Sequence, residues 1–140
     1  MKLALLVLSS VLYFFVGVIS LVMSIKNLTA KTFLPFHAQA IGKPWDQIDK
    51  QFQYLIQTLM KLTGMGFLVV ALILLVLPIS NIFIKSSIVT FLVPVTSGLF
   101  CFGLYLFNYR LYRSTNAETP WKNSLMAIFV IIIGFILSIV

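Results

Sequence analysis

Pro35–Gly64, PFHAQAIGKPWDQIDKQFQYLIQTLMKLTG, is the one long polar stretch of this chain. It holds the only histidine, two of the three acidic residues and one of the two tryptophans. Leu3–Ile25, which precedes it, carries no charge and exceeds the about 20 residues that a helix needs to cross a bilayer core. A second long apolar run, Leu62–Leu77, begins where the polar stretch ends. The stretch therefore separates two membrane-spanning segments.

The composition is that of a membrane protein. Hydrophobic residues make up 61% of the chain and charged residues 9%, with a mean hydropathy of +1.09. A soluble domain would carry about 25% charged residues. We therefore expect a single transmembrane domain over residues 1–140. The net charge of +7 lies in loops and at helix ends, where basic residues meet anionic lipid head groups, so the expected partners are membrane lipids and not nucleic acid.

The few reactive side chains restrict the chemistry. Cys101 is the only cysteine, which excludes an intramolecular disulfide and dithiol redox chemistry. His37 is the only histidine, which excludes haem ligation by two histidines, and three acidic residues are too few for a convincing metal cage. We expect neither a metal nor a cofactor.

The polar stretch itself predicts the start of a long helix. Pro44 suits the first helical position, and Asp46 and Asp49 place negative charge where the helix dipole favours it. The helix is predicted to continue to Leu77, a length of about 50 Å, so its first turns stand outside a bilayer core of about 30 Å. Pro78–Asn81 is predicted to be a turn.

The whole pattern predicts an all-α fold, a four-helix transmembrane bundle with two large polar loops on one side. The first span is read as a retained anchor, because its apolar core is too long for a signal peptide and no cleavage motif follows. The last span is nearly featureless and is expected to face lipid. The predicted spans are 3–25, 53–77, 86–108 and 121–140.

Three of the spans carry polar stripes at helical spacing. Small and hydroxylated residues on the first span are typical of helix packing in lipid. The stripes on the second and third spans each cover an arc of roughly 80°. Their members are Ser9, Tyr13, Gly17, Ser20 and Ser24 on the first span; Asp46, Lys50, Gln53, Gln57, Lys61 and Gly64 on the second; and Thr90, Pro94, Ser97, Cys101, Tyr105, Asn108 and Tyr112 on the third.

A Pro-Trp pair follows each polar loop, Pro44-Trp45 in one case and Pro120-Trp121 in the other. Tryptophan favours the head-group layer, so both pairs indicate the same membrane interface. The positive-inside rule places loops 26–52 and 109–120 in the cytoplasm of a cell-membrane protein, with both termini outside.

The order F-H-x-x-x-I-G-x-P-W-D over Phe36–Asp46, glycines at positions 64 and 66, and Thr119-Pro120-Trp121 resemble an uncharacterised family of small bacterial four-span integral membrane proteins. The resemblance covers most of the chain and implies the same four-span fold, but no activity. Members of that family carry more arginine at the second loop, where this chain has only Lys85. A basic second loop would place the termini in the cytoplasm.

The stripes of the second and third spans are predicted to converge beneath the two polar loops. The resulting membrane-edge crevice would bind a small amphipathic or lipidic anionic ligand, with apolar walls, a cationic rim and tryptophans at the mouth. The predicted ligand-binding residues are His37, Gln39, Trp45, Asp46, Gln53, Gln57, Lys61, Tyr105, Asn108, Arg110, Arg113, Glu118 and Trp121.

Other interpretations stay open at this stage. The stripes can serve packing alone, or the chain can be a structural subunit of a membrane complex. An enzyme acting on a lipid or isoprenoid head group would use His37 as base, Asp46 or Glu118 to orient it, and Lys61 or Arg110 to stabilise an anion. A small transporter, working as a homo-oligomer, is less favoured because no carboxylate lies within a span.

Overall fold

The structure, a computed structural model, describes residues 2–140 and is helical along almost all of that range, with no strand. This confirms the predicted all-α bundle. The elements are α1 (Lys2–Thr29), α2 (Pro35–Ile41), a 3-10 turn (Trp45–Gln47), α3 (Lys50–Ile84), α4 (Ser87–Thr115) and α5 (Trp121–Ile139).

Four of these described helices, α1, α3, α4 and α5, are long and apolar enough to cross a membrane. The chain is therefore a multi-pass membrane protein with a helical bundle. Helix α3 has 35 residues and a length of about 50 Å, so part of it extends beyond a hydrocarbon core of about 30 Å.

The four long helices pack in a closed ring, in the order α1, α3, α4, α5 and back to α1. Neighbours run antiparallel: Ser24 Oγ donates to the Gly64 carbonyl at 2.9 Å, and Ser9 Oγ donates to the Gly134 carbonyl at 2.6 Å. The connections α1–α3 and α4–α5 thus lie together at one end, called the loop end below. The α3–α4 turn, the start of α1 and the end of α5 lie at the opposite end.

Small residues bring α1 and α3 close together. A Cβ atom on Gly64 would lie 2.9 Å from Leu28 Cγ, and one on Gly17 would lie 2.9 Å from Leu75 Cγ. No larger residue fits either position without movement of its neighbours. All members of the predicted α1 stripe are buried, which confirms its packing role.

Helix α3 begins at Lys50, six residues later than predicted from Pro44. Pro44 instead precedes the 3-10 turn that contains Asp46. Asp49 adopts an extended ψ and caps α3, with Oδ2 accepting the Gln51 N–H at 3.1 Å. An aspartate satisfies a free N–H at the helix start, which a proline cannot do, and this favours the later start.

Helix α3 also continues past Pro78 to Ile84, so the predicted turn at Pro78–Asn81 is wrong. A proline removes only its own N–H, and neighbouring helices can compensate for the lost bond. Here Pro78 is buried, and Ser10 Oγ of α1 lies 3.3 Å from the Pro78 carbonyl. This contact joins α3 to α1 but does not replace the bond that the Leu74 carbonyl loses. The helix ends at Lys85, whose φ of 51° is left-handed and whose N–H donates to the Asn81 carbonyl.

Helix α4 contains Pro94, as predicted, but extends to Thr115 and so passes the expected end at Asn108. The polar segment after Asn108 is therefore mostly helical. Its connection to α5 comprises only residues 116–120, of which Ala117 and Thr119 are buried. The last turns of α4 project toward the loop end and carry basic and aromatic side chains there.

Candidate functional site

The predicted ligand-binding residues all lie at the loop end of the bundle. Lys61 lies on α3 close to the loop end. Gly64 packs against Asn27 and Leu28 in the last turn of α1, and Lys61 is nearly one turn closer to the loop end. Lys61 is also exposed, so its ammonium group can reach the interface directly or by snorkelling.

Two glutamines of α3 hold the first loop, residues 30–49. Gln57 Nε2 donates to the Lys31 carbonyl at 2.7 Å. Gln53 Nε2 donates to the carbonyls of Trp45 at 2.7 Å and Ile48 at 3.0 Å. These two amide groups thus bind backbone carbonyls of the first loop. The sequence alone does not indicate these partners.

Helix α2 is tied to the α4–α5 connection by a single hydrogen bond. Gln39 Oε1 accepts the Glu118 N–H at 2.8 Å. The same connection is held to α4 by Thr119 Oγ1, which donates to the Asn108 carbonyl at 2.8 Å. Gln39 and Asn108 therefore both fix the loops, and α2 lies across the loop end with no buried residue of its own.

Four aromatic side chains of α4 and α5 form what we call the aromatic cluster: Tyr105, Tyr109, Tyr112 and Trp121. The Tyr109 and Trp121 ring centroids are 5.4 Å apart in an edge-to-face arrangement. Tyr112 and Tyr105 lie 6.0 and 6.3 Å from Trp121, and Tyr105 stacks on Tyr109 at 5.8 Å. These distances fall within the range of favourable ring pairs.

The two tryptophans do not flank one common cavity. Trp45 makes an edge-to-face contact with Phe33 in the first loop, at 5.0 Å, whereas Trp121 belongs to the aromatic cluster. One open hollow at the loop end has a volume of about 210 Å³ and is lined by Lys50, Gln53 and Tyr54; neither tryptophan lines it. The predicted residues are thus brought to one end of the bundle as two groups, one on α3 with the first loop and one on α4 with α5.

His37 lies in the first turn of α2, where its Nδ1 accepts the Leu34 N–H at 3.3 Å. Burial lowers the pKa of the imidazole below its ordinary value of 6.5. The neutral ring therefore predominates at pH 7, and Nδ1 is engaged with backbone. Nδ1 therefore has a local role at the start of α2.

Charge is distributed unequally between the two ends. Eight basic and three acidic side chains lie at or near the loop end, against Lys2 and Lys85 at the other end. Asp46 and Glu118 are exposed, as are Arg110 and Arg113. The exposed cations closest to the aromatic cluster in sequence are Arg110, Arg113 and Lys122.

Tyr109 and Tyr112 belong to the aromatic cluster but are not among the predicted ligand-binding residues, although Tyr112 is a member of the predicted third-span stripe. Tyr105, Tyr109 and Tyr112 have i, i+4, i+7 spacing, which places them on one face of a helix, so a signal was present. It became meaningful only when α4 was found to extend beyond Asn108. Lys122 was also missed; its Nζ lies 5.6 Å from the Trp121 ring centroid, within reach of a cation–π contact.

Among residues 2–140 there is no group of three histidine, cysteine, aspartate or glutamate side chains placed to hold a metal ion. Comparisons with protein-family models, curated proteins and solved structures gave no match. The function must therefore be argued from the geometry of the loop end.

Proposed function

We propose that the loop end binds anionic amphipathic lipids at the surface of the membrane. The observation that carries this proposal is the aromatic cluster with three exposed cations beside it. Lys122 lies over the Trp121 ring, and Arg110 and Arg113 are exposed in the turns of α4 that carry the tyrosines. An amphipathic anion needs this combination of an apolar surface and adjacent positive charge.

The physical chemistry of the groups supports this assignment. Tyrosine and tryptophan each combine an apolar ring with a polar tip, which suits the boundary between acyl chains and head groups. Arginine presents a planar fork that can bind phosphate through two parallel hydrogen bonds. Each basic residue near an anionic surface contributes about 1 kcal/mol of attraction.

In this proposal the predicted site residues have two roles. Lys61, Arg110 and Arg113 contact the head group, and Tyr105 with Trp121 contacts the glycerol region or upper acyl chains. The remaining polar residues bind, or lie next to, the loops beside this lipid-binding surface. Gln39, Gln53 and Gln57 belong to this second group because each already binds loop backbone.

The same proposal includes a location and an orientation. We place the protein in the cell membrane with the loop end in the cytoplasm, where anionic lipids give the leaflet a negative surface potential. The excess of basic residues at this end supports that orientation through the positive-inside rule.

Quenching of tryptophan fluorescence by brominated lipids tests the proposal. The Trp45→Phe variant retains Trp121 as its only tryptophan and is reconstituted into nanodiscs of phosphatidylcholine containing a minor fraction of brominated phosphatidylglycerol. We expect several-fold stronger quenching than with the same fraction of brominated phosphatidylcholine. The preference should weaken at high salt, because exposed charges are screened.

Charge variants provide the matched control. Replacing Arg110, Arg113 and Lys122 by glutamine should reduce the preference for brominated phosphatidylglycerol several-fold. The double variant Lys2→Gln, Lys85→Gln removes positive charge from the opposite end and should leave the preference unchanged. Equal quenching by the two brominated lipids in the parent protein would refute the proposal.

A further inference from the structure

A second hollow lies between all four long helices, near the end opposite the loops. Its volume is about 10 Å³, and it is lined by side chains from α1, α3, α4 and α5. All ten lining side chains are neutral, and six of them carry a hydroxyl or amide group. These six are Ser9, Ser10, Tyr13, Asn81, Thr90 and Ser138.

Tyr13 is the member of this group that lacks a partner. Its side chain is only 3% exposed, and its hydroxyl is buried without a hydrogen bond. The hydroxyls of Ser9 and Ser138 lie close to the Tyr13 hydroxyl. A buried hydroxyl with no partner costs about 1–3 kcal/mol, and a bilayer offers no external water to relieve this cost.

The tyrosine ring cannot turn away to solve this problem. A Cβ atom on Gly134 would lie 2.9 Å from Tyr13 Cε1, so the ring packs directly on the backbone of α5. Gly134 is the residue that makes room for it. The position of the Tyr13 hydroxyl is thus set by close packing.

The neighbouring hydroxyl groups already donate their protons elsewhere. Ser9 Oγ donates to the Gly134 carbonyl at 2.6 Å, and Ser138 Oγ donates to the Phe135 carbonyl at 2.7 Å. Their oxygen atoms retain lone pairs that can accept a hydrogen bond. The hollow therefore contains a free donor, the Tyr13 O–H, and at least two free acceptors.

We propose that this hollow binds one ordered water molecule. The water accepts the Tyr13 O–H proton and donates its own protons to the hydroxyl oxygens of Ser9 and Ser138. A volume of about 10 Å³ is close to the minimum that a single water needs, and three polar partners are the usual number for a buried water. A metal cation is disfavoured, because no lining side chain carries a charge to compensate it.

A crystal structure grown from a lipid phase, at a resolution that shows buried waters, tests this site directly. We expect density about 2.6–3.0 Å from Tyr13 Oη, within reach of Ser9 Oγ and Ser138 Oγ. An empty hollow would overturn the proposal. So would a direct hydrogen bond from Tyr13 to Ser9 or Ser138 with no density between them.

The Tyr13→Phe variant gives an independent readout, because it removes one hydroxyl and no packing. A water-bonded hydroxyl contributes to stability, so its removal should lower the midpoint of thermal unfolding in detergent by about 3–5 °C. Tyr54→Phe, at a side chain that is 73% exposed, should leave the midpoint unchanged. An unchanged or higher midpoint for Tyr13→Phe would mean that the hydroxyl has no partner, and would overturn the proposal.

Discussion

His37 has a local role in the structure that the sequence did not indicate. It is the only histidine, and it lies in a polar loop beside two candidate carboxylates. In the structure its Nδ1 accepts the Leu34 N–H at the start of α2. This bond requires the neutral ring, because a protonated imidazole has no lone pair to accept it.

Acidification should therefore loosen α2. When α2 is packed on the loop end, which we call the docked form, burial holds the pKa of His37 below 6.5. When α2 is detached, the imidazole binds more protons as the pH falls through about 6.5. Docking is fully stable above this pH and weakens below it. Hydrogen exchange of the amides in Pro35–Ile41, corrected for intrinsic rates, should be faster at pH 5.5 than at pH 7.5.

The His37→Gln variant is the control for this effect. Glutamine does not titrate, so the corrected exchange rates should be equal at the two pH values. If the parent protein also exchanges equally at both pH values, His37 does not control the docking of α2.

At the scale of elements, the α1–α3 pair is the most closely packed part of the bundle. Gly17 and Gly64 allow close approach along its length, and Ser24 Oγ donates to the Gly64 carbonyl. Helices in lipid gain little from burying apolar surface, so close van der Waals contact and interhelical hydrogen bonds must hold them together.

Enlarging Gly64 should destabilise this pair. In Gly64→Ala the new Cβ would lie 2.9 Å from Leu28 Cγ and 3.1 Å from Asn27 Cβ, so we expect a loss of about 1–3 kcal/mol. Thermal unfolding can be followed with a thiol-reactive dye, because Cys101 is the only cysteine and is buried.

Gly98→Ala is the matched control on α4. A Cβ at Gly98 would meet nothing within 4 Å, so this variant should be neutral or more stable by up to about 1 kcal/mol through helix propensity. Equal destabilisation of the two variants would show that the close contact at Gly64 is not the cause of the loss in stability.

The turn between α3 and α4 depends on Asn81. Its Oδ1 accepts the Ser86 N–H at 2.7 Å, and its Nδ2 donates to Thr90 Oγ1 at 2.9 Å. One side chain thus joins the last turn of α3 to the first turn of α4. This arrangement explains why the helix reversal occurs at Lys85 and not at Pro78.

Asn81→Ala should accordingly destabilise the bundle by about 1–3 kcal/mol, because it leaves partly buried partners without hydrogen bonds. The same dye assay measures the effect. Asn123→Ala, at an exposed position in the first turn of α5, should change stability by less than about 0.5 kcal/mol. A parent-like midpoint for Asn81→Ala would show that the turn does not need this side chain.

At the scale of the whole molecule, the two ends differ in charge and in aromatic content. Both tryptophans and most basic residues lie at the loop end. Such an asymmetry orients a membrane protein, since basic segments are retained in the cytoplasm.

Cysteine labelling tests this orientation. In a Cys101→Ser background, Ser114→Cys reports on the loop end and Ser87→Cys on the opposite end, and both positions are exposed. A membrane-impermeant maleimide should label Ser87→Cys on intact cells and Ser114→Cys only after permeabilisation. The reverse pattern would place the loop end outside.

The sequence by itself determined the all-α class, the number of apolar helices and the face of α1 that packs inward. These features are local, because hydropathy and helical spacing depend on residues that are near one another in the chain. The spacing of Tyr105, Tyr109 and Tyr112 is also a local feature, because it places the three rings on one face of a helix.

Only the tertiary structure decided where the helices end and which polar groups meet. Pro78 stays within α3 beside Ser10 of α1, and Tyr13 is left without a partner among four helices. Trp121 of α5 joins tyrosines of α4 across the second loop. These outcomes depend on hydrogen bonds and packing between residues far apart in the chain, and no local pattern encodes such partners.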